Sequence, residues 1–235
     1  MEEKTKTPHT SLMTRGETIA ALVYLPVHIA LLPSLLYMLM QGGYLSETQV
    51  NFLCYAIGVA YMLLFTFRFL RRDFDPICDR PGYCLLQIAI CYGLMMAFNL
   101  CVSGILLLFT QEANPNNSAL LGMADINYGS VTAMAVFMAP IVEEVMFRGA
   151  IFGLTRRYNR VLAYALSMLA FSLYHVWAYA IADPSYWIYI IQYLPVSYLL
   201  CRCYERTQSI WCSIFFHMLV NAISLRALMM LEELL

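Results

Sequence analysis

Seven apolar runs of roughly membrane-spanning length dominate this chain, at residues 17–40, 48–70, 84–110, 131–154, 161–182, 186–204 and 209–231. A helix that crosses the hydrocarbon core needs roughly 20 mainly apolar residues. In lipid its backbone polar groups must be satisfied within the segment itself. The chain is therefore expected to be all-α, a polytopic membrane helix bundle of about seven transmembrane helices. Composition agrees: the chain is 61% hydrophobic and 12% charged, whereas soluble domains run nearer about 45–50% and about 25%. Residues 1–16 read as a tail and 17–235 as a single membrane-embedded domain. The span 186–204 is short and aromatic and follows Asp183-Pro184, so an even number of crossings stays open.

The basic residues orient these spans. Lys4, Lys6 and Arg15 precede the first run. Arg68, Arg71, Arg72 and Arg80 cluster at the second connection, Arg156, Arg157 and Arg160 at the fourth, and Arg202 and Arg206 at the sixth. The first, third and fifth connections hold no Lys or Arg, so 12 of the 14 basic residues fall on one side. By the positive-inside rule that side is the cytoplasm, which puts the N-terminus there. The expected location is a bacterial plasma membrane. A run of 24 residues (17–40) is too long for the apolar region of a cleavable signal peptide, and it reads as a retained span. The basic residues are few and spread along the chain, which gives no nucleic-acid footprint.

The remaining two basic residues, Arg148 and Arg226, lie inside spans, and so do Glu143 and Glu144. A charge at mid-bilayer costs about 2.5–3.5 kcal/mol on insertion scales, so such groups are functional by default. Glu144 and Arg148 are four residues apart and share a helix face. Glu143 is turned about 100° away and has no obvious local partner. Counting ~1.5 Å per residue from the basic ends puts Glu143 roughly 17 Å deep, His175 roughly 22 Å, His217 about 13 Å and Asn221 about 19 Å. His217 and Asn221, again four apart, can face one point. Three helices thus bring Glu, His, His and Asn to similar depth.

Two chemistries suit this set. Glu143, His175 and His217 can bind Zn(2+) and leave a position for water. Without metal, Glu143 with His175 can take a proton from water while His217 and Asn221 hydrogen-bond the oxyanion. Both are peptide hydrolysis by an activated water.

Glu143-Glu144-x-x-x-Arg148, Phe171-x-x-x-His175 and His217-x-x-x-Asn221, in that order on successive helices, resemble the three motifs of the CPBP family of intramembrane proteases, the type II CAAX prenyl endopeptidase and bacteriocin-processing (Abi) proteins. The resemblance covers about 139–222, inside a protease-like core at 131–231. It implies a site open to the cytoplasm. There Glu143 and His175 would activate water, Glu144 and Arg148 would hold the site's shape, and His217 and Asn221 would stabilise the oxyanion. Substrates would be prenylated CAAX-like or other membrane-associated peptides. Partners would be that peptide and membrane lipids, and the oligomeric state is not legible. Non-catalytic regulation, such as bacteriocin immunity, is the alternative on the same scaffold. A proton-coupled transporter is a third class, disfavoured because the spans show no inverted repeat. Where the family has Thr-Gly-Ser before the last helix, this chain has Thr207-Gln208-Ser209.

Other conspicuous residues read blandly. Eight cysteines without a CxxC pair act as small buried hydrophobes. Phe171 packs, Arg226 snorkels, and His28 has no evident partner. Asn116-Asn117-Ser118, in the long polar connection 111–130, matches a glycosylation acceptor, which has no meaning in a bacterium.

Overall fold

A computed structural model describes residues 12–232, so Lys4 and Lys6 lie outside the described residues. Seven long helices follow one another: α1 (Arg15–Gln41), α2 (Glu47–Arg72), α3 (Pro81–Leu107), α4 (Pro115–Arg156), α5 (Arg160–Ala182), α6 (Ile190–Thr207) and α7 (Ile210–Glu232). Among the described residues six helices, all but α6, are long and apolar enough to cross a membrane. The fold is a helical membrane bundle.

The exception is the span that began at 186. Its first residues form a tight 3-10 turn, Pro184–Tyr189, and the helix proper carries Arg202, Glu205 and Arg206. Yet α6 runs the length of the bundle. At one end Tyr189 Oη donates to the Glu112 carbonyl (2.6 Å) and Asn114 Nδ2 to Gln192 Oε1 (2.7 Å). At the other, Glu205 accepts from Arg156 and Arg160, each at 2.7 Å. Ser197, Leu199, Leu200, Cys201, Cys203 and Tyr204 are all fully buried. On this buried face α6 meets protein, where the apolarity that lipid demands is not needed.

The helix ends carrying the basic residues gather at one end of the bundle. Arg72 donates to the Leu12 carbonyl and Arg157 to that of Met13, tying the start of α1 to the ends of α2 and α4. Burial raises the pKa of the Glu205 carboxyl, but hydrogen bonds from Arg160, Arg156 and Tyr164 more than offset it and lower the pKa to about 2. The opposite end holds the α1–α2, α3–α4 and α5–α6 connections, which carry no Lys or Arg. The polar connection expected over 111–130 is mostly helix: α4 starts at Pro115, behind the Asn114 cap, and breaks at Asn127 (φ −152°, ψ 83°).

Three of the long helices depart from ideal geometry, α1 by a π-helical stretch at Val27–Leu31 that follows Pro26. In α4 the α-helical turns Ala139–Glu144 lie between wider π-helical stretches, Ala133–Met138 and Val145–Phe152. Pro140 has no N–H to give to the preceding turn, and a π turn is a common way to absorb such a defect. In α2 the backbone breaks at Thr66, and the Phe69 N–H donates to Glu17 Oε1 (2.8 Å). Glu17 is thus a buried acid with a structural task, which also closes a capping box with Thr14.

Gln208 ends α6 in the left-handed region, φ 57° and ψ 30°. That conformation costs an L residue about 1–2 kcal/mol, part of which glycine recovers. Gln208→Gly is expected to stabilise the protein by about 1 kcal/mol, read as a higher thermal midpoint in detergent. An unchanged or lower midpoint would show that the Gln208 side chain, whose Nε2 reaches the Glu205 carbonyl, outweighs the strain.

Candidate active site

The two adjacent acids of α4 have different surroundings. Glu144 is fully buried. Its Oε1 accepts from Arg148 Nη1 (3.1 Å) and faces His217 Nδ1 (2.9 Å), and its Oε2 accepts from Ser213 Oγ (2.6 Å). Arg148 Nη2 donates onward to the Ser197 carbonyl (3.1 Å) and Ser197 Oγ (2.9 Å), and its guanidinium lies 4.3 Å from the Phe171 ring centroid. Four helices, α4 to α7, meet at this ion pair. It is structural material: every oxygen of Glu144 is occupied. Ser213 donates to a buried carboxylate, a bond worth about 1.5–3 kcal/mol. Ser213→Ala is expected to lower stability by about that amount, measured as the thermal midpoint; a change within error would show that Arg148 and His217 alone satisfy Glu144.

Glu143 stands on the other side. Its Oε1 accepts from Tyr55 Oη (3.0 Å), which lies 2.8 Å from Tyr174 Oη, itself 3.2 Å from His28 Nε2. Gly58 sets this up: a Cβ there would stand 2.9 Å from Val142 Cγ2, so glycine lets α2 approach α4 one turn from Tyr55. The other oxygen, Oε2, is buried without a hydrogen-bond partner. It faces His175 Nε2 at 3.8 Å and His217 Nε2 at 3.9 Å.

The ring tautomers follow from the partners. His175 Nδ1 lies 2.9 Å from the Phe171 carbonyl, which can only accept, so Nδ1 carries the proton. His217 Nδ1 faces a carboxylate that also accepts from Arg148 and Ser213, so it too is a donor. When neutral, both rings turn a bare Nε2 toward Glu143. Three basic atoms from three helices converge. Asn221 borders the same cavity, but its Nδ2 donates to the Ala135 carbonyl (2.8 Å), which leaves it one N–H.

All six residues expected from the sequence therefore lie together, in two groups. Glu144 and Arg148 form the buried brace, Glu143 and His175 the open side, and His217 bridges the two, with Asn221 beside it. Tyr55, Tyr174, Ser197 and Ser213 were missed. Ser213 had a signal, being four residues before His217 on the same face. Tyr55 and Ser197 had none. His28, expected to be unpartnered, is a correction: it is buried, bonded to Tyr174 and part of the cavity wall.

That cavity has a volume of about 640 Å³. It reaches toward the bundle end opposite the basic residues, through Asn51, Asn99, Asn116 and Gln192. Toward the basic end the interior is filled by Phe147, Phe152, Leu199, Tyr204 and Phe216, all buried. Packed side chains thus occupy the interior toward the basic end.

Zinc fits the site in donor type, with two Nε2 atoms and a carboxylate oxygen. The two Nε2 atoms stand 3.8 and 3.9 Å from Glu143 Oε2, a few tenths of an ångström wider than the roughly 3.4 Å between donors around a tetrahedral zinc. Among the described residues no three His, Cys, Asp or Glu side chains form a group able to hold a metal.

Residues 126–223 match the family model for the type II CAAX prenyl endopeptidase, Rce1-like. The match covers α4 from its break to its end, all of α5 and α6, and α7 past Asn221. No curated protein and no solved structure matches the chain significantly.

Proposed function

We propose that this chain, a membrane bundle carrying an Rce1-like domain at residues 126–223, is an intramembrane endopeptidase that cleaves a membrane-associated peptide with water activated at Glu143. The observation that carries this reading is Glu143 Oε2, buried and unpartnered, facing two imidazole Nε2 atoms at 3.8 and 3.9 Å. A carboxylate oxygen without a partner in a low-dielectric site is costly, and functional sites are where such costs are retained.

In the reaction Glu143 Oε2 takes one proton from water and an Nε2 accepts a hydrogen bond from the other. The water oxygen bonds the peptide carbonyl carbon. The oxyanion is met by the remaining Nδ2 proton of Asn221. Glu143 returns its proton to the amide nitrogen, the C–N bond breaks, and an amine and a carboxylic acid leave. Tyr55 holds Glu143 Oε1, and the Phe171 carbonyl and Glu144 fix the two rings.

The positive-inside pattern puts the basic end, and with it the N-terminus, in the cytoplasm. Function is tested with purified protein in proteoliposomes. The substrates are internally quenched hydrophobic peptides, including a farnesylated peptide ending in a CAAX sequence. Wild type should release fragments from at least one substrate, and Glu143→Gln from none. Equal rates for the two proteins on every substrate would overturn the proposal and leave a non-catalytic regulator.

A further inference from the structure

The arginines at the basic end of the bundle are not alike. Arg156 and Arg160 pair with Glu205, while Arg72 and Arg157 donate to the Leu12 and Met13 carbonyls. Arg80, Arg202 and Arg206 do none of this. Among the described residues none of the three is ion-paired. They meet at the seam where α3 packs on α6. Tyr83 Oη of α3 donates to the Arg206 carbonyl (3.3 Å), and the Arg80 guanidinium lies 5.6 Å from the Tyr83 ring centroid. One turn further in on both helices, Arg202 Nη1 reaches Gln87 Oε1 (3.5 Å) and Cys91 Sγ (3.6 Å). Both contacts are longer than a good hydrogen bond, and both acceptors are neutral. The other N–H groups of this half-buried guanidinium have no partner among the described residues.

We propose that the α3–α6 seam binds an anionic phospholipid, its phosphate received by Arg80, Arg202 and Arg206 and its acyl chains lying on the apolar faces beyond them. The depth suits a headgroup. Arg202 precedes the last residue of α6, Thr207, by little more than one turn, which places it roughly 7–8 Å from the helix end. That is about the thickness of the interfacial layer on one side of a bilayer. By the positive-inside rule this end faces the cytoplasmic leaflet, where anionic lipids concentrate and basic pockets between helices hold their headgroups. Guanidinium forks match phosphate oxygens in geometry as well as charge. An apolar surface continues from the arginines. Leu86 and Ile90 of α3 and Tyr198 of α6, one turn before Arg202, are all exposed. A free phosphate ion would leave that surface unused, whereas a lipid covers it. The bound lipid would supply the counter-charge that Arg202 lacks. It would also clamp α3 to α6, the helix whose Ser197 receives Arg148.

The test uses purified full-length protein in nonionic detergent, titrated with a phosphatidylglycerol that carries a fluorescent acyl chain. Binding should saturate at about one lipid per chain, as one headgroup site requires. Unlabelled phosphatidylglycerol should displace the probe. Phosphatidylcholine, whose phosphate is neutralised within its own headgroup, should do so at least about tenfold less well, and inorganic phosphate should not displace it. Arg202→Gln with Arg206→Gln should weaken binding about thirtyfold. Arg68→Gln with Arg71→Gln removes the same charge from exposed positions at the end of α2 and should change binding by less than about threefold. Arg206→Gln alone, at an exposed position, is the second variant should the first fail to fold, with a loss of about fivefold expected. Equal losses in the two double variants would reduce the seam to one part of a diffusely basic surface and overturn the site. Displacement by inorganic phosphate would make it an ion site, and equal displacement by phosphatidylcholine, or binding that never saturates, would overturn the lipid assignment. Cleavage enters no step of this test, so a failed peptidase and a failed lipid site are told apart.

Discussion

Glu143→Gln is expected to lower kcat/KM by about 10²–10⁴-fold, the range that a positioned general base contributes, while leaving the thermal midpoint nearly unchanged. The two halves of this result have separate causes. Glutamine keeps an oxygen for the Tyr55 hydroxyl, the one hydrogen bond Glu143 accepts from the protein. It cannot take a proton from water. The atom lost, Oε2, has no partner whose loss would destabilise the fold. Glu144→Gln, one residue away, should behave differently. It removes the charge that Arg148, Ser213 and His217 share, so stability should fall together with activity. Initial rates on a cleavable peptide, with thermal unfolding of the same preparations, check both. If Glu143→Gln retains activity within about threefold of wild type, below any general-base contribution, Glu143 is not the base.

This contrast between neighbouring acids was partly legible in the sequence. The four-residue spacing of Glu144 and Arg148 gave the pair, and the turn of the helix left Glu143 apart. Similar depth on three helices brought His175 and His217 in. Depth is a coordinate along the bundle, though, and says nothing about position around it. Tyr55 and His28 have no charged or motif residue within two turns of helix to mark them, and Tyr55 is one of 17 tyrosines. Their place depends on how α1 and α2 pack, which turns on Gly58 and on backbone breaks such as Thr66. Counting ~3.6 residues per turn also fails across α4, whose two π stretches reset the register on either side of Glu143. Apolarity was weakest at α6, whose buried face meets protein and not lipid. The direction of the cavity was the least legible feature: it depends on which end the aromatic side chains fill, a property of packing and not of pattern.

The second large effect falls on the brace. Arg148→Met is expected to destabilise the protein by about 3–5 kcal/mol, the usual consequence of leaving one partner of a buried ion pair alone. Methionine fills much of the space over Phe171 but donates to neither Glu144 nor Ser197. The deficit is therefore electrostatic and not a cavity effect. Glu144 would keep Ser213 and His217 and would draw harder on the His217 ring, which also faces Glu143. A double variant, Glu144→Gln with Arg148→Met, removes both charges at once. Its stability should exceed that of Arg148→Met alone, with a coupling of about 1–3 kcal/mol, because groups in one network are not additive. Activity should not follow. In the double variant Nδ1 of His217 faces a neutral amide that can donate as well as accept, so the tautomer that presents Nε2 to the cavity is no longer enforced. Recovery of stability without recovery of turnover would show that the brace serves the fold through its charge balance and the chemistry through His217. Recovery of both would reduce the brace to packing, and an Arg148→Met variant as stable as wild type would mean that the ion pair contributes nothing net to the fold.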